Sequence, residues 1–117
     1  MSEMISRQLT KEVTASTTTI FLLIGLNAYG FPCYLYNSGD NTITYAYQEA
    51  DENVEASYAN ISGATGTLDS DDVLLTKVTS TKPYVRLRAS AAGGSELEIG
   101  IVQFYLNLSN ILPIINI

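Results

Sequence analysis

The chain contains no histidine and no tryptophan, and it has a single cysteine, Cys33, among its 117 residues. Without histidine it lacks the commonest general base and the commonest metal ligand of proteins. One cysteine cannot form an internal disulfide, which excludes a small secreted fold held by disulfides but leaves an intermolecular bridge open. Cys33 lies in the apolar run Phe31–Tyr36. We expect a buried thiol there, because free cysteine is among the most buried residue types.

Charged residues are scarce, at 15% of the chain against 46% apolar residues, and the formal net charge is −6. Between Val13 and Thr76 there is no lysine or arginine, although most of the acidic residues lie there. This acidic segment would repel a phosphate backbone, so we exclude nucleic acid as a partner. A surface with few charges offers little protection against association, which favours a chain that packs against a partner.

The sequence predicts no membrane segment and no secretory signal. The most apolar early run, Ile20–Leu26, has seven residues, whereas a spanning helix needs about twenty. The run begins too far from Met1 for a signal peptide, and no small-residue cleavage site follows it. It predicts a buried strand instead, because β-branched residues precede it. We therefore expect no membrane partner.

Almost every segment has strand character, and helical spacing is limited to a turn or two within the first twelve residues. Short strands with turn signals about every ten residues predict an all-β domain, an antiparallel β-sandwich or jelly roll of seven or eight strands. We divide the chain into an N-terminal arm, 1–12, the β-sandwich, 13–106, and an apolar C-terminal arm, 107–117. The predicted strands are Thr14–Ile24, Pro32–Tyr36, Thr42–Glu49, Asn53–Ile61, Thr67–Thr79, Tyr84–Ser90 and Glu96–Leu106.

A hairpin is predicted around the loop Ala92–Gly94, because the flanking stretches YVRLRAS and ELEI both alternate apolar and charged residues. A three-residue loop places Arg88 opposite Glu98, so Arg86 and Arg88 are predicted to form half of a cross-strand charge ladder on the solvent face. The alternative for the two arginines is an intersubunit salt bridge. After Gly100 the alternation shifts by one residue, which predicts a bulge or burial of both strand faces.

A second hairpin is predicted at NSGDN, Asn37–Asn41, a five-residue loop that contains glycine. Tyr34 and Tyr36 alternate before this loop, and Tyr45 and Tyr47 alternate after it. Each strand therefore displays two rings on one face. Three uses are open for them: aromatic packing across the strands, a protein interface, or a carbohydrate site.

The acidic motifs are weak evidence for a metal site or for catalysis. DSDD, Asp69–Asp72, has carboxylates at a spacing found in calcium loops, but it lacks the glycine and the distal glutamate of an EF-hand. We interpret it as a solvated acidic loop. Carboxylates such as Glu49 and Asp51 have no tryptophan beside which a sugar could stack, so glycoside hydrolysis has little support. We predict no catalytic residue, no cofactor and no metal site.

The C-terminal segment is unusual because no side chain from Ile99 to Ile117 is charged. The last eleven residues, NLSNILPIINI, are apolar and rich in asparagine, and Pro113 prevents a regular central strand. Such a segment would expose a large apolar surface in water. We expect it to reach into a neighbouring copy, with closure over its own core as the alternative. The predicted interface residues here are Leu108, Ile111, Leu112, Ile114, Ile115 and Ile117, and elsewhere Arg86, Arg88, Tyr45 and Tyr47.

From Cys33 to Tyr105 the chain resembles small β-sandwich virion proteins of tailed bacteriophages. The resemblance rests on YNSGDNTITYAYQ, then an acidic loop, then TSTKPYVRLRASAAGGSELEIGIVQFY. It implies a non-catalytic capsid decoration or cement protein on the virion capsid surface, made in the host cytoplasm. It also implies a phage major capsid protein or another virion protein as partner, and a homo-oligomer such as a trimer. The alternatives are a tail or fibre component and a carbohydrate-binding module; a small hydrolase is the least favoured.

Overall fold

The computed structural model describes residues 2–24, 30–75, 78 and 80–106, and the side chains of residues 8–22, 34–75, 78 and 80–100. These residues form eight β-strands and one turn of 3-10 helix. No helix in this part of the chain is long and apolar enough to cross a membrane. The elements are β1 (Ser2–Val13), β2 (Thr18–Ile24), β3 (Gly30–Asn37), β4 (Ile43–Ala50), the 3-10 turn η1 (Glu55–Ser57), β5 (Ala59–Leu68), β6 (Val73–Leu75), β7 (Tyr84–Ser90) and β8 (Ser95–Leu106).

The strands form two four-stranded sheets, with the order β1-β8-β3-β6 in sheet A and β2-β7-β4-β5 in sheet B. All strand pairings are antiparallel. The chain crosses from one sheet to the other at every connection except the one from β4 to β5. This is the strand order of a jelly roll, so the predicted all-β sandwich or jelly roll is confirmed.

The core lies between the two sheets. It is filled by inward-facing side chains, which alternate with outward-facing ones along the strands. Tyr47 is its largest fully buried side chain, and it meets Phe21 edge to face with ring centroids 6.2 Å apart. In β7, Val85, Leu87 and Ala89 point inward. The residues between them therefore face outward, which places the two arginines on the outer face of sheet B. The fully buried aliphatic residues include Val13, Leu35, Ile43, Val85, Leu87, Leu97 and Ile99.

Neither of the two predicted hairpins exists. The NSGDN loop joins β3 of sheet A to β4 of sheet B, and the loop before Ser95 joins β7 of sheet B to β8 of sheet A. The turn itself is present, since Gly93 and Gly94 adopt φ values of 82° and 83°, which only glycine adopts without strain. Both sheets turn their apolar faces toward one core, so strands in opposite sheets show the same alternation as hairpin partners. The pattern could not separate these two cases.

Asn37 joins three segments of chain at one end of the sandwich, and it is fully buried. Its Nδ2 donates to the carbonyl oxygens of Asn41 and Leu68, both at 2.8 Å. Its Oδ1 accepts from the backbone N–H of Gly39 at 3.1 Å and from Oγ of Ser95 at 2.7 Å. These four bonds use the full hydrogen-bonding capacity of the amide, so its burial costs no unpaired polar group.

The predicted N-terminal arm, residues 1–12, is corrected by the pairing of β1. Ser2–Val13 pairs with β8 along its whole length, from Ser2 opposite Leu106 to Val13 opposite Ser95. The segment is therefore an edge strand of sheet A and contains no helical turn. Its sequence shows no clean alternation, and its partner lies at the other end of the chain, so no local pattern could reveal this strand.

Two further boundaries differ from the prediction. Asn53–Ile61, predicted as a strand, contains η1 and only the start of β5, whereas residues 62–66, which belong to no predicted strand, lie inside β5. An irregularity opposite Tyr47, between Asn60 and Thr65, absorbs these extra residues. The bulge predicted near Gly100 is not found in β8, which pairs with β1 without a register shift. The irregularity lies on the neighbouring strand β3, between Pro32 and Tyr34. The predicted burial of the Cys33 thiol lies outside the described side chains.

Candidate functional site

An arginine cluster occupies the outer face of sheet B, beneath the loop formed by residues 51–58. Arg86 is buried although it points away from the core. Its two terminal nitrogens donate to the carboxylate of Glu55, Nη2 to Oε2 at 2.7 Å and Nη1 to Oε1 at 3.1 Å. Its Nε donates to Oε1 of Gln48 at 2.8 Å, and the guanidinium lies 3.8 Å from the ring centroid of Tyr58. The loop thus covers the arginine and provides two of its partners, Glu55 and Tyr58, while β4 provides Gln48.

The electrostatics of the cluster follow from this bidentate contact. The hydrogen bond from Arg86 lowers the pKa of Glu55 below its ordinary value of 4.5, and the positive charges of Arg86 and Arg88 add to that effect. Burial raises the pKa of Tyr58 above 10.0. The hydroxyl of Tyr58 donates to Oδ1 of Asn53 at 2.6 Å, inside the same loop. The carboxylate of Glu55 is therefore ionised and engaged at neutral pH.

A groove of about 320 Å³ opens beside the arginine cluster. Arg88 lies along it and donates through Nη2 to the carbonyl oxygen of Thr17 at 3.1 Å and through Nη1 to Glu55 at 3.4 Å. Among the described residues Nε of Arg88 is buried without a partner. Glu55, the carboxylate in the lining of this groove, is held by Arg86 and Arg88. The cluster thus joins the loop of residues 51–58 to the outer face of sheet B.

The predicted charge ladder between Arg88 and Glu98 is wrong. Arg88 lies on β7 in sheet B and Glu98 on β8 in sheet A. Glu98 accepts a hydrogen bond from the hydroxyl of Tyr34 at 2.7 Å, whereas Arg88 binds Glu55. The contact between Arg88 and Glu55 lies within one chain. The alternative for these arginines, an intersubunit salt bridge, therefore stays a prediction.

The four tyrosines do not form one aromatic platform, because β3 and β4 lie in different sheets. Tyr45 and Tyr47 pack edge to face with ring centroids 6.4 Å apart, and Tyr47 is fully buried in the core. Tyr47 therefore serves packing within the chain, the first of the three predicted uses. Tyr34 and Tyr36 lie on the opposite side of the molecule, on the outer face of sheet A.

An apolar groove of about 330 Å³ lies on this outer face, between β3 and β6. Tyr34 stands opposite Leu75, and Tyr36 stands opposite Val73 in the register of these strands. Val73 and Leu75 are 58% and 81% exposed. Glu98 completes the lining. Sequence reasoning missed this groove, because Val73–Leu75 was interpreted as part of a long strand, whose exposed face a local pattern cannot identify.

The acidic loop Asp69–Asp72 lies at the end of the sandwich where the NSGDN loop also lies. Oδ1 of Asp69 accepts from Thr42 at 2.9 Å, and Oδ1 of Asp71 accepts from the hydroxyl of Tyr36 at 3.2 Å. This hydrogen bond to Asp71 raises the pKa of Tyr36 above 10.0. In the described ranges no three acidic or cysteine side chains lie close enough together to hold a metal ion.

The predicted interface residues of the C-terminal arm, 107–117, lie outside the described residues. The division of the chain after Leu106 and the docking of this segment on a neighbour therefore stay predictions. β8 ends at Leu106, so the segment begins directly after a strand of sheet A.

Comparison with known proteins gives a likeness in fold. No protein-family model matches the chain, and no curated protein matches it. Among solved structures, the chain is similar to one from the Bacillus endospore appendages, a family of disulfide-linked pili, with a TM-score of 0.58 and 11% identity over 90% of this chain and 89% of that chain. A weaker likeness, with a TM-score of 0.44 and 14% identity over 89% of this chain and 93% of the other, is to the crystal structure of PirA. At this identity the pilus likeness shows a shared sandwich architecture.

Proposed function

We propose that this chain is a non-catalytic structural subunit that assembles with copies of itself into an extended surface appendage. The observation that carries the proposal is the fold likeness to a chain of disulfide-linked endospore pili, which extends over 90% of the present chain. The likeness covers the whole sandwich rather than one motif. A jelly roll has two outer sides and can contact several neighbours at once, which is the geometry that an assembly requires.

The chemistry of the described side chains supports a structural role. In the arginine cluster, defined by Arg86, Arg88, Glu55, Gln48 and Tyr58, both guanidinium groups bind the carboxylate of Glu55 within the chain, and Arg86 also contacts Gln48 and Tyr58. Its exposed carboxylate is held by arginines instead of being available as a base. Histidine is absent from the sequence. A structural subunit needs no reactive group, and this composition agrees with one.

The uncharged C-terminal segment supports self-assembly. No side chain of residues 107–117 is charged, and more than half of these residues are leucine, isoleucine or proline. An apolar segment of this kind gains free energy when a neighbouring subunit removes it from water, at about 25 cal/mol for each Å² buried. Several such contacts along an assembly act together, so each of them can be weak by itself.

The single cysteine limits how disulfides could contribute to the assembly. Cys33 is the only thiol of the chain, and one thiol can join a subunit to one other subunit. Disulfides between copies could therefore make pairs, but they could not make a continuous covalent chain of this subunit alone. Contacts other than disulfides must therefore join such pairs along the assembly.

A virion shell is the second setting for the same subunit. The sequence pattern that resembles phage head decoration proteins favours it, with a major capsid protein as partner and a trimer as oligomer. That pattern was interpreted as two hairpins, and both loops instead connect opposite sheets. The appendage is therefore the leading proposal, and the two settings differ in a visible product: a filament of this chain alone, or decoration only when a shell is supplied.

The test compares the full chain with a chain that ends at Leu106, by light scattering and negative-stain electron microscopy. We expect the full chain to form multimers or filaments and the shortened chain to be a monomer with the same far-ultraviolet circular dichroism. A matched control keeps all 117 residues and replaces Ile111, Ile114 and Ile115 by asparagine, which removes apolar surface at constant length. A full chain that stays monomeric over the whole concentration range would overturn the proposal.

A further inference from the structure

We propose that the apolar groove of sheet A, formed by Tyr34, Tyr36, Val73 and Leu75, is the docking site for the C-terminal segment of a second copy. This inference rests on the proposed function, because it names the contact through which the subunits assemble. The occupant is residues 107–117 of a neighbouring chain.

The groove has the character of a site for an uncharged apolar segment. Its two walls are the rings of Tyr34 and Tyr36 on β3 and the aliphatic side chains of Val73 and Leu75 on β6. Leu75 is 81% exposed, the highest value among the large exposed apolar residues of the described chain. Exposed apolar residues that stand singly are ordinary, whereas a cross-strand group that shares one groove marks an interaction surface.

The charges around the groove select against an acidic partner. Glu98 lies in its lining, and Asp71 accepts the hydrogen bond of Tyr36 at its end. A segment that carries carboxylates would be repelled by both. No side chain of residues 107–117 is charged, and the amides of Asn110 and Asn116 are donors that suit these carboxylate acceptors. Apolar character and charge therefore point to the same segment.

The length of the segment points to a second copy as its source. In the register of sheet A, Tyr34 lies opposite Gly100 and Tyr36 opposite Glu98, so the groove lies about seven residues before the end of β8 at Leu106. That is roughly 24 Å along the strand, and β6 is two strand spacings, or roughly 10 Å, to the side. Eleven residues span at most about 36 Å. If the segment bound the groove of its own chain, about eight of the eleven residues would be needed to span the distance from Leu106 to the groove.

The consequence is that only the last few residues could reach the groove of the same chain. The apolar pairs Ile111 with Leu112 and Ile114 with Ile115 could not both be seated there. A second copy has no such limit, because its segment approaches from outside and can place all of these residues in the groove. Each chain then offers one groove and one segment, a heterologous contact that propagates from copy to copy.

The test is site-specific crosslinking between two differently tagged full-length chains, both with Cys33→Ala so that no other thiol is present. One chain carries Leu75→Cys in the groove, and the other carries Ile114→Cys in the C-terminal segment. A short bismaleimide is added to the mixture at micromolar concentration. The matched control replaces Leu75→Cys by Val54→Cys, which is also exposed, at 52%, but lies in the loop over sheet B. Val73→Cys is a second groove position in case the first variant weakens docking.

A docked segment is held at an effective concentration in the millimolar range, so we expect roughly tenfold or more crosslinking at Leu75→Cys or Val73→Cys than at Val54→Cys. Equal yields at the groove and the control position would overturn the inference. So would a bond that forms only within one chain carrying both cysteines. Multimers that persist without groove crosslinks would overturn this docking site and leave the proposed function standing, whereas a monomeric full chain would overturn both.

Discussion

Arg86 holds Glu55 through both terminal nitrogens, at 2.7 and 3.1 Å, across 31 residues of sequence. The contact fixes the loop of residues 51–58 on the outer face of sheet B. A guanidinium can do this while its Nε binds Gln48 and its plane covers the ring of Tyr58, because it is flat and carries five donors in a fixed arrangement.

Replacing the guanidinium of Arg86 by an ammonium group should weaken the attachment of residues 51–58 to sheet B. In Arg86→Lys the charge remains, but the stacking on Tyr58 and the bond to Gln48 are lost, for which we expect a decrease of about 1 to 2 kcal/mol in the free energy of unfolding. Urea denaturation measures this change. Lys82→Ala is the matched control, since Lys82 binds Asp51 at 3.0 Å on the exposed surface, and we expect about 0.5 kcal/mol or less for it. Equal losses in the two variants would contradict the assignment.

The loop should also respond to acid. The pKa of Glu55 is lowered from 4.5 by the hydrogen bond from Arg86, so the ionised form favours the folded state. This contribution is fully present above pH 4.5 and is lost as the pH falls through the lowered pKa of the folded state. We expect an NMR titration of the Glu55 carboxyl carbon with a midpoint below 4.5, and Tyr58 ring signals that follow it. In Arg86→Lys the midpoint should move upward; a wild-type midpoint at or above 4.5 would disprove the effect.

The buried amide of Asn37 should be one of the most sensitive polar positions. Asn37→Ala removes four hydrogen bonds and leaves the carbonyl oxygens of Leu68 and Asn41 without this donor. We expect a loss of about 3 kcal/mol in the free energy of unfolding, measured with urea. Asn60→Ala is the control, because Asn60 is exposed and accepts one bond, from Gln48 at 2.9 Å, so its cost should stay near 0.5 kcal/mol. Similar losses of unfolding free energy at both positions would show that the four hydrogen bonds of Asn37 stabilise the fold no more than the single exposed bond of Asn60.

Gly100 should not tolerate a side chain while Tyr34 is present. A Cβ at residue 100 would overlap Cε2 of Tyr34, so the ring would have to leave its place and its bond to Glu98. We expect Gly100→Ala to cost about 1 to 3 kcal/mol in unfolding free energy. In a Tyr34→Ala background the same change should cost little or be favourable, because alanine suits a strand better than glycine. An equal cost in both backgrounds would mean that the ring is not the obstacle.

The fold class was predictable because two patterns were local. Alternation in YVRLRAS and ELEI identified β7 and the start of β8, and the inward residues Leu87 and Ile99 are fully buried as that alternation requires. Turn chemistry was equally local, since Gly93 and Gly94 occupy left-handed positions. The positions of the charged side chains relative to one another could not be predicted from local patterns. Arg88 was matched with Glu98 by counting residues across a turn, and the two strands lie in opposite sheets.

The sequence by itself determined that this chain forms strands, that it has an acidic middle and an uncharged end, and that it lacks the histidine on which much catalysis depends. These properties depend on residue type and on neighbours a few positions apart. Only the tertiary structure decided which strands share a sheet, that β1 is an edge strand, and that Tyr34 stands opposite Leu75 in an exposed groove. The physical reason is that both sheets bury their apolar faces in one core, so the free energy of burial selects inward residues without specifying the sheet to which each strand belongs.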